Sequence, residues 1–204
     1  MTTSQLNKYL GNIDLYLLDQ VLKGNINSDA KMLDAGCGEG RNLIYFLNNG
    51  FDVHGIDQNE NAIRMLQFVI GSNYAHYSKD RFQVGELSKL SFDNHEFDYV
   101  ICSAVLHFAQ SEDHFWQMLE ELSRVLSADG TLFIRMASNI GLHGHESLSN
   151  GRYNLPDGSQ RFLLTENMVS TIIADHNYSK VEPVKTVIVE NQRCMTTLVL
   201  KKEQ

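Results

Sequence analysis

The stretch Met32-Leu33-Asp34-Ala35-Gly36-Cys37-Gly38-Glu39-Gly40-Arg41-Asn42 constrains this chain more than any other. An apolar run enters a turn that holds three glycines at alternate positions. A helical pattern follows, with Leu43, Ile44 and Leu47 inward and Gly50 as its stop. Strand, glycine-rich turn and helix together form a cradle in which a ligand approaches bare backbone at a helix N-terminus.

Charge narrows the ligand. A dinucleotide fingerprint reads G-x-G-x-x-G, but here the third glycine comes one place early and Arg41 stands in its position. Asp34 ends the strand and Glu39 lies inside the loop. Carboxylates repel a pyrophosphate and attract an ammonium or a sulfonium. S-adenosylmethionine (SAM) carries both cations and no phosphate.

Asp34-x-Gly36-x-Gly38-x-Gly40 matches, in register, the first motif of the class I SAM-dependent methyltransferases, and the chain resembles that family over about residues 31–200. The resemblance extends to its small-molecule enzymes, including the tellurite-resistance type, whose cradle also reads G-C-G-x-G-R-N. It implies an α/β fold with a doubly wound, seven-stranded sheet, mostly parallel with one antiparallel strand near an edge. It also implies transfer of a methyl group from SAM to a small acceptor by in-line displacement, with S-adenosylhomocysteine (SAH) as product. The expected cradle is Asp34, Gly36, Cys37, Gly38, Gly40 and Arg41.

Asp57 follows the second apolar strand at once, and a carboxylate there can accept from both hydroxyls of a ribose. The competing role is a helix N-cap, for which Asn59 is better placed. Gln58 stands beside it. Within the resemblance, Glu86 and Leu87, after the third strand, meet the adenine amino group and a ring nitrogen. The segment that begins at Ser103, at the end of strand four, faces the ligand crevice. His107 in that segment is either a general base, a substrate contact or a packing residue.

The rest of the chain fits this order. Leu6, Leu10, Ile13, Leu17 and Val21 fall on one helical face, predicting a helical cover over about residues 4–24, from which Tyr9 or Tyr16 could reach the cofactor. Strands are predicted at residues 31–34, 51–56, 81–84, 97–103, 131–136, 184–189 and 196–200. A helix through Ile63, Leu66, Val69 and Ile70 stops at Gly71. Ser111 caps a helix with the stripe Phe115, Met118, Leu119, Leu122, Val125 and Leu126. Thr165 caps a last one with Met168, Val169, Ile172 and Ile173 inward. The short connector at residues 191–193 makes the final two strands an antiparallel hairpin, an ending that a dehydrogenase fold does not usually have.

Residues 138–161 lack any period and are rich in Gly, Ser, Asn and His. Such a segment inside a compact domain is usually functional. Residues 138–164 are therefore expected to form a substrate cap. Arg135, Arg152 and Arg161 border it and suit an anionic acceptor. His143-Gly144-His145-Glu146 offers too few ligands for a metal, and none is expected.

At 204 residues, one domain over 1–204 is the simplest reading. The net charge of -8 and the absence of a Lys/Arg cluster argue against a nucleic-acid substrate. With no apolar run of spanning length, no leader-like N-terminus and three cysteines in no metal spacing, a cytoplasmic protein with no membrane partner is expected. Oligomeric state stays open. Two alternatives stand beside methyl transfer: a SAM-binding protein without transferase activity, and a nucleotide-dependent oxidoreductase.

Overall fold

The computed structural model describes residues 1–142, 148–190 and 192–203. The His143-Gly144-His145-Glu146 run lies outside them.

The N-terminal cover is two helices, where the periodicity predicted one. Helix α1 (Thr3–Leu10) is closed by a Thr2–Gln5 capping box and ends at Gly11, whose φ of 68° is left-handed. Helix α2 (Leu15–Leu22) restarts with Asp14 as its N-cap. The apolar spacing survives the break because each piece supplies its own inward residues, with Leu17 fully buried.

Strand β1 (Lys31–Ala35) leads through the glycine loop into a short helix α3 (Ile44–Asn48). Strand β2 (Asp52–Asp57) is followed by α4 (Glu60–Asn73), which Asn59 caps with its side chain. This helix runs past Gly71, the expected stop, so glycine alone did not end it. Strands β3 (Phe82–Val84) and β4 (Phe97–Ser103) come next. After them stand α5 (Glu112–Val125), capped by Ser111, and β5 (Leu126–Ala137). Strand β5 begins five residues early because the 126–130 segment pairs across an irregularity opposite Phe97 and Tyr99.

The expected irregular insert contains a hairpin, β6 (Arg152–Asn154) with β7 (Gln160–Phe162), in a two-stranded sheet of its own. The turn is Leu155-Pro156-Asp157-Gly158-Ser159, with Gly158 at φ 79°. Helix α6 (Glu166–Asp175), capped by Thr165, precedes β8 (Tyr178–Lys180), β9 (Lys185–Val189) and β10 (Arg193–Lys202).

The main sheet runs β3-β2-β1-β4-β5-β10-β8, and β9 also pairs with β10. Strand β8 takes Leu200–Lys202 and β9 takes Arg193–Thr197 of the same partner. Strand β9 is the predicted sixth strand, and β8 is a strand the sequence did not announce, so the sheet has eight strands where seven were expected; Pro183, which has no N–H to give a ladder, lies between the two. Strand β10 alone runs against the others, as expected. Alternate residues serve opposite faces. Leu33, Val100, Leu132, Ile134 and Leu198 pack with α5 and α6. Met32, Tyr99, Ile101, Phe133 and Val199 pack with α2, α3 and α4. Each fully buried aliphatic or aromatic side chain contributes about 1.5–3 kcal/mol. The order reverses between β1 and β4, where the loops leaving their C-terminal ends diverge. No described helix is long and apolar enough to cross a membrane.

Candidate active site

The glycine loop is built onto the end of β2. Gly36 and Cys37 donate their N–H groups to Ile56 O at 2.7 and 3.1 Å. Gly38 N–H donates to Asp57 Oδ2 and Asn59 N–H to Asp57 Oδ1, both at 2.8 Å. Asp57 therefore shapes the loop, and each of its oxygens keeps a second lone pair. The three glycines differ. A Cβ at Gly36 (φ 86°) would lie 2.2 Å from Val105 Cγ2, and one at Gly40 would lie 2.5 Å from Leu66 Cδ1. At Gly38 (φ 53°) nothing lies within 4 Å of such a Cβ, so that side of the loop is open, although Gly38 is not part of the lining of the cavity described next. Cys37 is turned inward, 4% exposed, and burial pushes its thiol up well above the ordinary range.

A cavity of about 520 Å³ opens beside this loop. Gly36, Asp57 and Gln58 form one part of its lining, Glu86 and Leu87 another. Ala104, Val105 and Phe108 close it from the end of β4. Arg41 and Ser103 meet each other at 3.4 Å, outside that lining. Asp34 is 1% exposed, and neither carboxylate oxygen has a hydrogen-bond partner among the described residues. Burial raises its pKa to about 7, Arg41 pulls it down in part and Asp57 adds to the rise. A buried carboxylate without a partner is costly and fits a cationic ligand. The orphaned acid, the open face at Gly38 and the free lone pairs of Asp57 together suit SAM.

A second cavity, about 330 Å³, adjoins the first, and Ala104 lines both. Ala104 is held at φ 64°, and its N–H donates to Arg135 O at 2.7 Å. Arg135, Arg161, Arg193, His107 and Asp157 supply the polar lining, and Leu155, Val187, Val189 and Met195 much of the apolar part. Of the three arginines predicted, Arg135 and Arg161 reach it. Arg152 does not: its guanidinium donates to Gln110 Oε1 at 3.3 Å. Arg193, at the start of β10, takes its place. It was passed over as part of a connector, and only the pairing of β9 with β10 brings it round.

His107 is 8% exposed in a 3₁₀ turn, residues Leu106–Phe108. Its Nδ1 accepts Ala137 N–H at 3.3 Å, which leaves the proton of the neutral ring on Nε2. Burial lowers its pKa to about 4, and the charge of Arg161 adds to this. At neutral pH the ring is a hydrogen-bond donor and a weak base, which counts against the general-base role.

Asp14 was also overlooked. It is 5% exposed and gathers several elements at one carboxylate. Oδ1 accepts the N–H groups of Tyr16 and Leu17, at 2.9 and 3.4 Å. Oδ2 accepts from Arg135 Nη1 at 3.1 Å and Ser103 Oγ at 3.4 Å, and lies 3.7 Å from Arg41. Of the two cover tyrosines, Tyr16 lies 5.4 Å from the Arg135 guanidinium. Tyr9 instead donates to Asn49 at 2.6 Å, away from both cavities. The signal for the capping role of Asp14 was present, since Gly11 followed three residues on by an Asp is a stop and then a cap; nothing local marked its bond to Arg135.

Comparison with known proteins agrees with this geometry. The family described as methyltransferase domain matches residues 33–134, half of the chain, from β1 into β5. An uncharacterised methyltransferase of Schizosaccharomyces pombe is 29% identical over 133 residues, covering 65% of this chain and 83% of its own. A probable S-adenosyl-L-methionine-dependent methyltransferase, TehB, of Haemophilus influenzae is 30% identical over 94 residues, 46% of this chain and 32% of that protein. A crystal structure from Pyrococcus horikoshii superposes with a TM-score of 0.72 at 20% identity, covering 97% of this chain and 96% of the other. The 1,6-didemethyltoxoflavin-N1-methyltransferase of Burkholderia thailandensis superposes at 0.67 and 20% identity, covering 90% and 76%. With its order of strands, its acid-flanked glycine loop and this match, the chain belongs to the class I SAM-dependent methyltransferase family.

Proposed function

We propose that this enzyme transfers the methyl group of SAM to a small molecule that carries an anionic group, bound in the cavity between β5, β9 and the β6–β7 hairpin. The observation that carries this reading is the pair of cavities meeting at Ala104, one lined by the family's cofactor motif and the other by three arginines and a histidine. A volume of about 330 Å³ suits a small acceptor. The small-molecule methyltransferase among the solved relatives supports the same class of acceptor. The hairpin acts as the substrate cap.

When bound, SAM supplies an electrophilic methyl on a sulfonium, so the protein's work is alignment and exclusion of water. Asp57 is poised to accept from the ribose diol, and Asp34 to stand against the cationic end. Glu86 and Leu87 take the adenine edge. Arg161, on β7, stacks over Phe108 at 4.9 Å and so joins the acceptor cavity to the cofactor cavity. Arg161 and Arg193 hold the acceptor's anion, and His107 Nε2–H orients a neighbouring acceptor atom. Release of SAH in a screen of small carboxylates and other anions tests the reading. A chain that binds SAM and turns over no acceptor would instead be a SAM-binding protein without transferase activity.

Two further outcomes are expected. Asp57→Ala loses charge-assisted hydrogen bonds worth about 1.5–3 kcal/mol each, so SAM affinity falls roughly tenfold or more. Because Asp57 also holds Gly38 and Asn59, the loss extends to the loop itself. Calorimetry giving wild-type affinity in a folded variant would remove the assignment. For His107, the folded pKa of about 4 predicts no histidine inflection in the rate between about pH 6 and 8. His107→Gln, which keeps a donor, retains more activity than His107→Leu. A clear inflection near pH 6.5, lost in both variants, would restore the base.

A further inference from the structure

The three arginines of the acceptor cavity are not equally available. Arg135 donates to Asp14 Oδ2 at 3.1 Å, and the Asp14 carboxylate is 3% exposed. Its charge is met before any acceptor arrives. Lys185, the other cation over the Tyr16 ring, is 2.7 Å from both Asp19 and Glu182 and is met in the same way. Arg41 approaches Asp14 from the cofactor loop and lines neither cavity. Across the cavity, Arg161 and Arg193 face one acid, Asp157, which both attract. Asp157 is held in the turn of the hairpin by Ser159, whose N–H and Oγ donate to Oδ1 at 2.9 and 2.6 Å.

Among these five residues, three arginines against two carboxylates leave a single net positive charge; Arg41, 3.7 Å from the same Asp14 oxygen, has a side chain 45% exposed and is screened by solvent. We propose, resting on the reading of this cavity as the acceptor site, that Asp14 is a specificity-determining residue: by neutralising Arg135 it sets the cavity to take a singly charged anion and to discriminate against a doubly charged one. The remaining lining agrees, because Leu155, Val187, Val189 and Met195 offer an apolar wall for the body of an organic monoanion and no partner for a second charge. Asp14 does this from outside the cavity lining, while its other oxygen caps α2. Cover helix and acceptor charge are thereby set by one residue.

The test compares benzoate, a monoanion, with phthalate, a dianion near pH 7.5, by calorimetry on the SAH-saturated protein. Wild type is expected to prefer benzoate. Asp14→Asn keeps a good N-cap residue and removes the charge. It should move the benzoate-to-phthalate ratio toward phthalate by about tenfold or more, an effect weakened by added salt. Asp14→Asn combined with Arg135→Gln restores the single charge and should restore the preference, which a merely structural loss would not do. Asp157→Asn, on an exposed turn, makes the same charge change from the other side and serves should Asp14→Asn fail to fold. Anion binding with an unchanged ratio in both single variants, or a wild type that already favours phthalate, overturns the proposal. Binding of neither anion in any variant overturns the acceptor-site reading, and the proposal with it.

Discussion

Gly38→Val is expected to abolish SAM binding in a protein that still folds. At φ 53° a Cβ at position 38 meets nothing within 4 Å in the protein itself. The folding cost is then mainly the left-handed conformation, about 1–2 kcal/mol and somewhat more for a β-branched residue. For a chain of this size such a loss lowers Tm by several degrees, about 2–4 °C per kcal/mol. If the ligand meets backbone on the open side of Gly38, as the cradle motif implies, valine fills the site and affinity should fall by about a hundredfold or more, about 2.7 kcal/mol. Gly36→Val behaves differently. Its side chain collides with Val105, and overpacking adds about 1–3 kcal/mol to the strain. The motif names both glycines alike as parts of the cradle; the packing separates them. Thermal melts with calorimetry against SAH resolve the pair. Wild-type SAH affinity in the Gly38 variant would mean that the loop presents another face to the cofactor.

The same contrast runs through the chain. The parallel strands, the caps at Asn59, Ser111 and Thr165, and the acid-flanked loop were legible because each is written locally, as an apolar run, a capping side chain or a turn residue. The break at residues 11–14 was not, although Gly11 and Asp14 mark it. A 3.6-residue period continued across it and outweighed two point signals. The insert was read as irregular, yet Pro156-Asp157-Gly158 is a turn signal between two short extended runs. Three-residue strands such as β6, β7 and β8 are too short for alternation to stand out. Arg193 and Asp14 belong to a further class. Their importance comes from neighbours 121 residues away in one case and from a hairpin register in the other. No local pattern carries that information.

What sequence also leaves hidden is protonation. His107 reads as a residue poised near neutral pH, with an ordinary value of about 6.5. Its burial and the single N–H it accepts turn it into a donor that stays neutral. Asp34 reads as a charge at the strand end beside the loop, and burial raises its pKa to about 7.

That inversion gives the last prediction. In the unliganded protein the pKa of Asp34 is about 7, against about 3.9 in an unfolded chain. Between these values the folded state holds a proton that the unfolded state has lost. The stability linked to this group is therefore fully present below about pH 4 and is lost as pH rises through about 7, several kcal/mol in all at about 1.4 kcal/mol per unit. Asp34→Asn removes that loss, so the unliganded variant should melt higher than wild type at pH 8 and much closer to it at pH 5. Binding runs the other way. A cation brought against the carboxylate favours its charged form, so SAM binding should release up to one proton near pH 7 and tighten between pH 6 and 8 by up to about tenfold. The Asn variant should release none and should bind SAM about tenfold or more weakly. Calorimetry in two buffers of different ionisation enthalpy counts the proton, and melts across the same pH range test the stability arm. A wild type that binds SAM without proton release, together with an Asn variant of equal affinity, would place the cation of SAM away from Asp34 and leave that carboxylate as a cost the fold carries without return.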